Sequence, residues 1–201
     1  MPVEIELKVH VDSHEPIRAA LAAAGAKRFG AVVETNHFFD SPDMGLLGRG
    51  AGLRVREVIS IGSSDENGPA MVTPIQATTH TTMTFKGPQQ VGPFKTRGEI
   101  EFAVGGAAAA INLLTAVGFV ETLRFQKRRE SWTLGDCNVE LDELPRLGRF
   151  VEVEGPTDDA IRAVALKLGL DPSASIRESY AALLAATMPP DSPRPLVIAF
   201  D

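Results

Sequence analysis

The chain has 201 residues, 44% of them hydrophobic and 23% charged, which fits one large domain with an adequate core. Its 20 basic and 26 acidic residues leave a formal charge of −6, which argues against a general nucleic-acid binder. The single cysteine, Cys137, excludes an intrachain disulfide or a multi-cysteine metal site and fits a reducing cytoplasm.

In chain order, Val3–Val9 alternates apolar and charged residues without a fault and predicts a strand. A helix is expected over Glu15–Ala24, closed by Gly25. Strands follow at Asn36–Ser41, Gly52–Ile59 and Thr81–Lys86. Between the last two, Ser60–His80 is polar, rich in Ser, Thr and Gly, and expected to be a long mobile loop. Arg97–Val104 predicts another strand, and Ala107–Val117 a helix closed by Gly118. Strands are then expected at Thr122–Leu134, Asn138–Leu141 and Arg149–Glu154. Two helices follow, Asp158–Leu168 closed by Gly169, and Ile176–Ala186 with Ser175 as its candidate cap. Met188–Pro195 holds four prolines in eight residues and predicts an extended tail, so one domain is expected over 1–187 with a tail at 188–201. Leu196–Phe200 is apolar enough to dock back on the body.

No apolar run approaches the ~18 residues of a membrane span, and the N-terminus opens on charged, strand-like sequence rather than a signal peptide. The expectation is a cytoplasmic protein without a membrane partner.

The informative feature is a recurrent pair of charges separated by one residue: Glu4/Glu6 with Lys8, Arg54/Arg56, Glu99/Glu101, Lys127/Arg129 and Glu152/Glu154. Lys86 and Asp142 are single charges in similar surroundings. Side chains alternate across a strand, so each pair shares one face while Ile5, Val55, Ile100 and Val153 take the other. For one strand, a solvated outer face explains this well. Across five strands the acids and bases segregate, with few Ser, Thr or Gln among them, which a merely wetted face would not require. Eight strands can instead close into a barrel whose apolar faces turn out to the helices and whose charged faces line the lumen. Such a lumen must hold water and ligand, because an unpaired buried ion costs several kcal/mol. Carboxylates suit Mg2+ or Mn2+, and Arg and Lys suit phosphate oxygens. Both together suit a polyanionic phosphate chain bridged by metal to an acidic wall.

At these residues the sequence resembles the CYTH family of triphosphate tunnel metalloenzymes, which includes class IV adenylate cyclases and thiamine triphosphatases. Glu4-Ile5-Glu6-Leu7-Lys8 is similar to the family's Glu-x-Glu-x-Lys signature, and Arg54-Val55-Arg56 to its Arg-x-Arg strand. Thr84-Phe85-Lys86, Arg97-Gly98-Glu99-Ile100-Glu101, Lys127-Arg128-Arg129-Glu130, Leu141-Asp142 and Glu152-Val153-Glu154 continue the ordered set to about residue 185, where Ser179-Tyr180 resembles the cyclase-like branch. The resemblance implies an α+β fold, an eight-stranded antiparallel β-barrel with helices packed outside, acting on a small-molecule triphosphate with Mg2+ or Mn2+. It implies Glu4, Glu6, Glu152, Glu154 and Asp142 as metal-site candidates, with Glu99 and Glu101 supporting. It implies Lys8, Arg54, Arg56, Lys86, Lys127 and Arg129 as phosphate ligands, and Glu4, Glu6, Lys8, Arg56 and Lys86 as the catalytic set. A homodimer is compatible with it. One departure is Phe38-Phe39-Asp40, where many members have Tyr-Phe-Asp, so any role of that hydroxyl is lost.

Three activities compete on these residues: triphosphate hydrolysis, cyclisation of ATP to cyclic AMP and pyrophosphate, and polyphosphate or nucleotide binding without turnover. Retention of both acidic pairs disfavours the third, and the absence of an adenine-recognition signature leans toward hydrolysis. Of the remaining residues, His10 continues the first strand on the Lys8 face, Cys137 has no nearby charge constellation to activate it, and Arg128 should point away from Lys127 and Arg129. Trp132 and Tyr180 are expected to be packing residues.

Overall fold

The structure is a computed structural model that describes residues 2–61, 79–189 and 191–201. The loop expected over Ser60–His80 therefore lies mostly outside the described residues, and its two ends are strand. The strands are β1 (Val3–Val11), β2 (Lys27–Asp40), β3 (Gly52–Ile61), β4 (Thr79–Gln90), β5 (Lys95–Val104), β6 (Val120–Leu134), β7 (Cys137–Leu144), β8 (Gly148–Glu154) and β9 (Leu196–Ile198). The helices are α1 (Glu15–Ala23), α2 (Gly45–Gly48), α3 (Ala107–Ala116), α4 (Asp158–Lys167) and α5 (Tyr180–Ala186).

The strands run in the order β2-β3-β4-β5-β1-β8-β7-β6, and a β2–β6 pairing closes them into an eight-stranded antiparallel barrel. The closing pair runs from Lys27↔Thr133 to Asp40↔Val120, with register shifts at Arg28/Gly30 and Phe38/Phe39. Closure leaves no free edge among these eight strands, so every wall of the lumen is built from alternating strand positions.

The apolar half of each alternation faces outward. Leu7, Val9, Val139, Leu141, Val151 and Val153 pack under Ile17 and Leu21 of α1 and Ile161 and Ala165 of α4. Phe39 and Val55 pack under Ala107, Ala110 and Leu114 of α3. Leu123, Phe125 and Phe150 instead share the strand faces of Lys127 and Glu152, and they pack with Tyr180 and Leu184 of α5 and with Leu196 and Ile198 of β9, where Leu123, Phe125, Tyr180 and Leu196 line the lumen. The residues under α1, α3 and α4 thus find dry cover outside the barrel, where burial stabilises them by about 25 cal/mol per Å2, while α5 brings an apolar patch to the lumen itself. The charged residues are left inside.

Several elements differ from the sequence-based expectation. The second strand begins nine residues earlier, at Lys27, because β6 supplies a partner along its whole length. The last helix begins at Tyr180, and Ser179 rather than Ser175 caps it by accepting from the Ala182 N–H. Residues 176–178 are held otherwise: the Ile176 N–H donates to the Lys8 carbonyl, and Arg177 donates to the carbonyls of Gln90, Gly92 and Phe94. The short helix α2 was not expected. It is organised by Asp40, whose carboxylate accepts from the N–H groups of Ser41, Leu46 and Leu47. Beyond the proline-rich stretch, β9 pairs in parallel with Leu123–Phe125, the part of β6 that β7 does not cover.

Candidate functional site

Inward side chains from all eight barrel strands line one cavity of about 630 Å3. Every residue expected as a metal, phosphate or catalytic group lines it except Asp142, which lies fully buried behind Arg129. The register sets opposite charges side by side across neighbouring strands: Lys8↔Glu152, Glu6↔Lys95, Lys86↔Glu99, Lys127↔Glu34 and Arg129↔Asp142. Direct cross-strand neighbours have Cβ atoms only ~5 Å apart, so this register decides which ion pairs form.

The ion pairs divide the lumen in two. In the first half, Arg129 donates to both Asp142 carboxylate oxygens at 2.7 and 2.6 Å and to Glu152 at 2.5 Å. Lys127 lies 3.3 Å from Asp142 and 3.3 Å from Glu34, and Arg56 bridges Glu34 at 3.3 Å while donating to the Asn36 side-chain oxygen at 3.1 Å. Each of these buried carboxylates therefore has two cationic neighbours, counting Lys8 at 3.7 Å from Glu152. Burial alone would raise Glu152, but Arg129 and Lys8 hold it well below the usual carboxylate range. Lys127 is pushed down by burial and then by Arg129, and Arg54 is pushed down to about 10 by burial and the neighbouring Arg56. A wall in which neighbouring cations disfavour one another's charge favours an anion in front of them.

The second half is acidic. The Lys86 ammonium lies 2.6 Å from Glu4 and 2.9 Å from Glu99, and the Lys95 ammonium is paired with Glu6. Glu154 has no ion-pair partner among the described residues. Lost hydration and the neighbouring carboxylates of Glu4, Glu6 and Glu99 push it up to about 7, against the pull of Lys86. The folded protein thus binds this proton more tightly than an unfolded chain, whose glutamate sits near 4.5. Stability contributed by the protonated form is present below pH ~4.5 and is lost as pH rises through about 7. Glu154→Gln should therefore leave Tm unchanged near pH 4, raise it progressively as pH climbs from ~4.5 to about 7, and keep a constant advantage above that. Thermal melts in EDTA across that range check this, and a Tm deficit of the variant at about pH 8 would contradict it.

Among the described residues, no three carboxylate, imidazole or thiol groups converge as a ready-made metal cluster, because lysines stand between the acids. The donor set still fits a hard divalent cation. Glu4, Glu6 and Glu99 have two ammoniums between them and Glu154 has none, and oxygen donors of this kind suit Mg2+ or Mn2+. Asp142 and Glu152 belong instead to the guanidinium network of the other half.

Between the halves, Lys8 is fully buried and its ammonium makes no hydrogen bond to a described residue. It sits 4.3 Å from the centroid of the Tyr180 ring, with Lys127 at 5.5 Å from the same ring. Tyr180 therefore does more than pack against Phe150: its face stabilises two ammoniums by cation–π attraction. Burial opposes its ionisation, and its hydroxyl has no partner among the described residues. Tyr180→Phe should keep stability within about 1 kcal/mol, whereas Tyr180→Leu, which removes the ring from two cations and from Phe150, should cost about 2–4 kcal/mol. Urea unfolding of both variants separates ring from hydroxyl.

This arrangement of eight strands and two opposed charge sets can be compared with known proteins. The family model described as the CYTH domain matches residues 2–170. The chain belongs to the CYTH domain family. A Methanocaldococcus jannaschii protein described as a candidate adenylate cyclase is 26% identical over 157 residues, covering 78% of this chain and 79% of that protein. Among solved structures, the PH1012 protein of Pyrococcus horikoshii is 26% identical with a TM-score of 0.69, covering 90% of this chain and 98% of that one. HpAC1 from Hippeastrum, described as a candidate adenylyl cyclase with a dominant triphosphatase activity, shares the fold at 15% identity and a TM-score of 0.61, covering 94% and 98%.

In this CYTH domain, sequence reasoning missed Glu34, Asn36, Lys95, Arg97 and Glu140 as lining or pairing groups. The signal existed for most of them. Lys95 and Arg97 extend the Glu99/Glu101 alternation backward, and Glu140 extends that of Asp142. Phe38 lines the cavity where many family members are expected to carry a hydroxyl. His10 does not line it; its ring packs edge-on against Phe150. Arg128 points outward as expected, lying over Phe200 and 3.4 Å from Glu143. Cys137 is buried, and burial raises its thiol. No helix among the described residues is long and apolar enough to cross a membrane.

Proposed function

We propose that this CYTH domain is a triphosphate phosphohydrolase that works on a divalent-cation complex of its substrate held inside the barrel. The observation that carries the reading is the segregation of the lumen into a guanidinium-rich half and an acidic half short of cations. A triphosphate complexed with metal has the matching polarity. Arg54, Arg56, Lys127 and Arg129 would hold the phosphate oxygens, Arg as a planar fork and Lys as a point charge. Lys8, buried and lacking a hydrogen-bond acceptor among the described residues, is aimed at the same space. Glu4, Glu6 and Glu154, with Glu99 at their side, would hold Mg2+ or Mn2+. Asp142 and Glu152 would fix Arg129 in place, and Glu101 would do the same for Arg54, from which it lies 3.4 Å away. When bound, the cation supplies charge neutralisation on phosphate oxygens and a more acidic coordinated water. The chain's own contribution is positioning: the cationic wall aligns the phosphates and stabilises charge that develops as the leaving phosphate departs.

A second reading, cyclisation of ATP, is favoured by the Methanocaldococcus relative's description. The same tunnel serves both reactions, because one scaffold can host either. That HpAC1 carries a cyclase description and a dominant triphosphatase activity supports placing hydrolysis first. Incubation with tripolyphosphate, thiamine triphosphate and ATP, each with Mg2+ or Mn2+, tests the choice. Orthophosphate release is expected. Cyclic AMP with pyrophosphate would replace the hydrolase reading by the cyclase one, and binding without turnover would remove both.

A further inference from the structure

The two halves of the tunnel pair their charges by different rules. In the guanidinium half, Asp142 is held by Arg129 and Lys127, Glu34 by Lys127 and Arg56, and Glu152 by Arg129 and Lys8. Arg56 or Lys127 there can turn toward a ligand while each carboxylate it leaves keeps another cation. In the acidic half the dependence is reversed. Glu4 and Glu99 have only Lys86, and Glu6 has only Lys95, among the described residues. A lysine leaving these carboxylates would strand one or two partly buried anions, a state that costs several kcal/mol unless another cation arrives.

That asymmetry has consequences for both ligands. A phosphate chain entering alone finds Lys86 and Lys95 engaged with carboxylates. A divalent cation entering alone must displace ammoniums that then have no anion to meet. If both enter, every charge is matched: the divalent cation takes the carboxylates and the released ammoniums take phosphate oxygens. Lys86 has the freedom for this exchange, since its side chain is 22% exposed and its long stem swings about several bonds.

We propose that Lys86 and Lys95 are exchangeable counter-cations, holding Glu4, Glu99 and Glu6 in the empty tunnel and passing to the phosphate chain when a divalent cation takes those carboxylates. The inference rests on the proposed metal–triphosphate reading and adds a rule of assembly to it. Cation and triphosphate bind with positive cooperativity, and by linkage each strengthens the other by the same factor. The tunnel thereby selects the metal complex of its substrate over free metal or free polyphosphate. Lys86 in this role is not only a phosphate ligand; it competes with the metal.

The competition can be read without turnover. Mn2+ binding is measured by electron paramagnetic resonance of the free ion, with no phosphate present, on the wild type, Lys86→Gln and Lys86→Met. Removing the competing ammonium should tighten Mn2+ binding by roughly 5- to 100-fold, the usual span of such couplings. Binding of tripolyphosphate at saturating Mn2+, measured by calorimetry, should weaken in the same variants, because only then is Lys86 released to the phosphates. Lys95→Met should shift both in the same directions, but its Glu6 partner is buried, so the two Lys86 variants decide the matter if Lys95→Met does not fold. If the wild type binds both ligands and the Lys86 variants bind Mn2+ equally or more weakly, the exchange is wrong while the site stands. If the wild type binds neither Mn2+ nor tripolyphosphate, the functional reading fails and takes the exchange with it.

Discussion

Arg129→Met should destabilise the ligand-free protein by about 3–5 kcal/mol, as expected when one partner of a buried ionic network is removed. The guanidinium satisfies both oxygens of Asp142, which is fully buried, and one of Glu152. Without it, Lys127 and Lys8 remain at 3.3 and 3.7 Å, too few and too distant to compensate two anions. Adding Asp142→Asn to the variant should recover part of the loss, because the stranded charge is then gone. Urea titrations of the single and double variants form the cycle that isolates this coupling. An Arg129→Met protein as stable as wild type would mean that the network is not formed as described.

Arg56→Ala should act mainly on chemistry. Its side chain bridges Glu34 and Asn36, yet Glu34 keeps Lys127 when it is removed, so the fold loses little. The phosphate chain would lose a two-pronged donor from the cationic wall. Loss of one such positioned donor lowers kcat by about 10²–10³-fold, and KM should rise as well because the same contact binds the ground state. Arg56→Lys should fall between the two, retaining charge without the planar fork. Steady-state kinetics on the preferred triphosphate, with urea unfolding as the control for folding, give the comparison. Undiminished kcat/KM in Arg56→Ala would remove this residue from the site.

Much of this was legible in the sequence, and for a physical reason. A strand enforces a period of two, so Glu4/Glu6/Lys8, Arg54/Arg56 and Glu152/Glu154 had to share a face with their own strand neighbours. What a period cannot supply is register between strands. It did not reveal that Asp142 and Glu152 converge on Arg129, or that Glu4 and Glu6 are each held by a lysine from another strand. Lys95 escaped notice because Gly92-Pro93 reads as a turn and the β4–β5 register shifts between Lys86 and Gln89. Glu34 lay in a stretch whose adjacent Val32 and Val33 and preceding Gly30 blur the alternation. Its strand is held by pairing with β6, a contact nearly a hundred residues away in sequence. The start of α5 was misplaced for a similar reason: helical spacing begins at Ile176, but the Ile176 N–H is engaged by the Lys8 carbonyl.

The central claim is that opposed charges from separate strands form one interior site for a metal–triphosphate complex. A crystal structure with tripolyphosphate and Mn2+ tests it most directly. The account predicts a manganese anomalous peak among Glu4, Glu6 and Glu154, with the phosphate chain reaching from there to Arg54, Arg56 and Arg129 inside the barrel. Manganese and phosphate found on the outer surface, with the lumen's ion pairs unchanged, would contradict it.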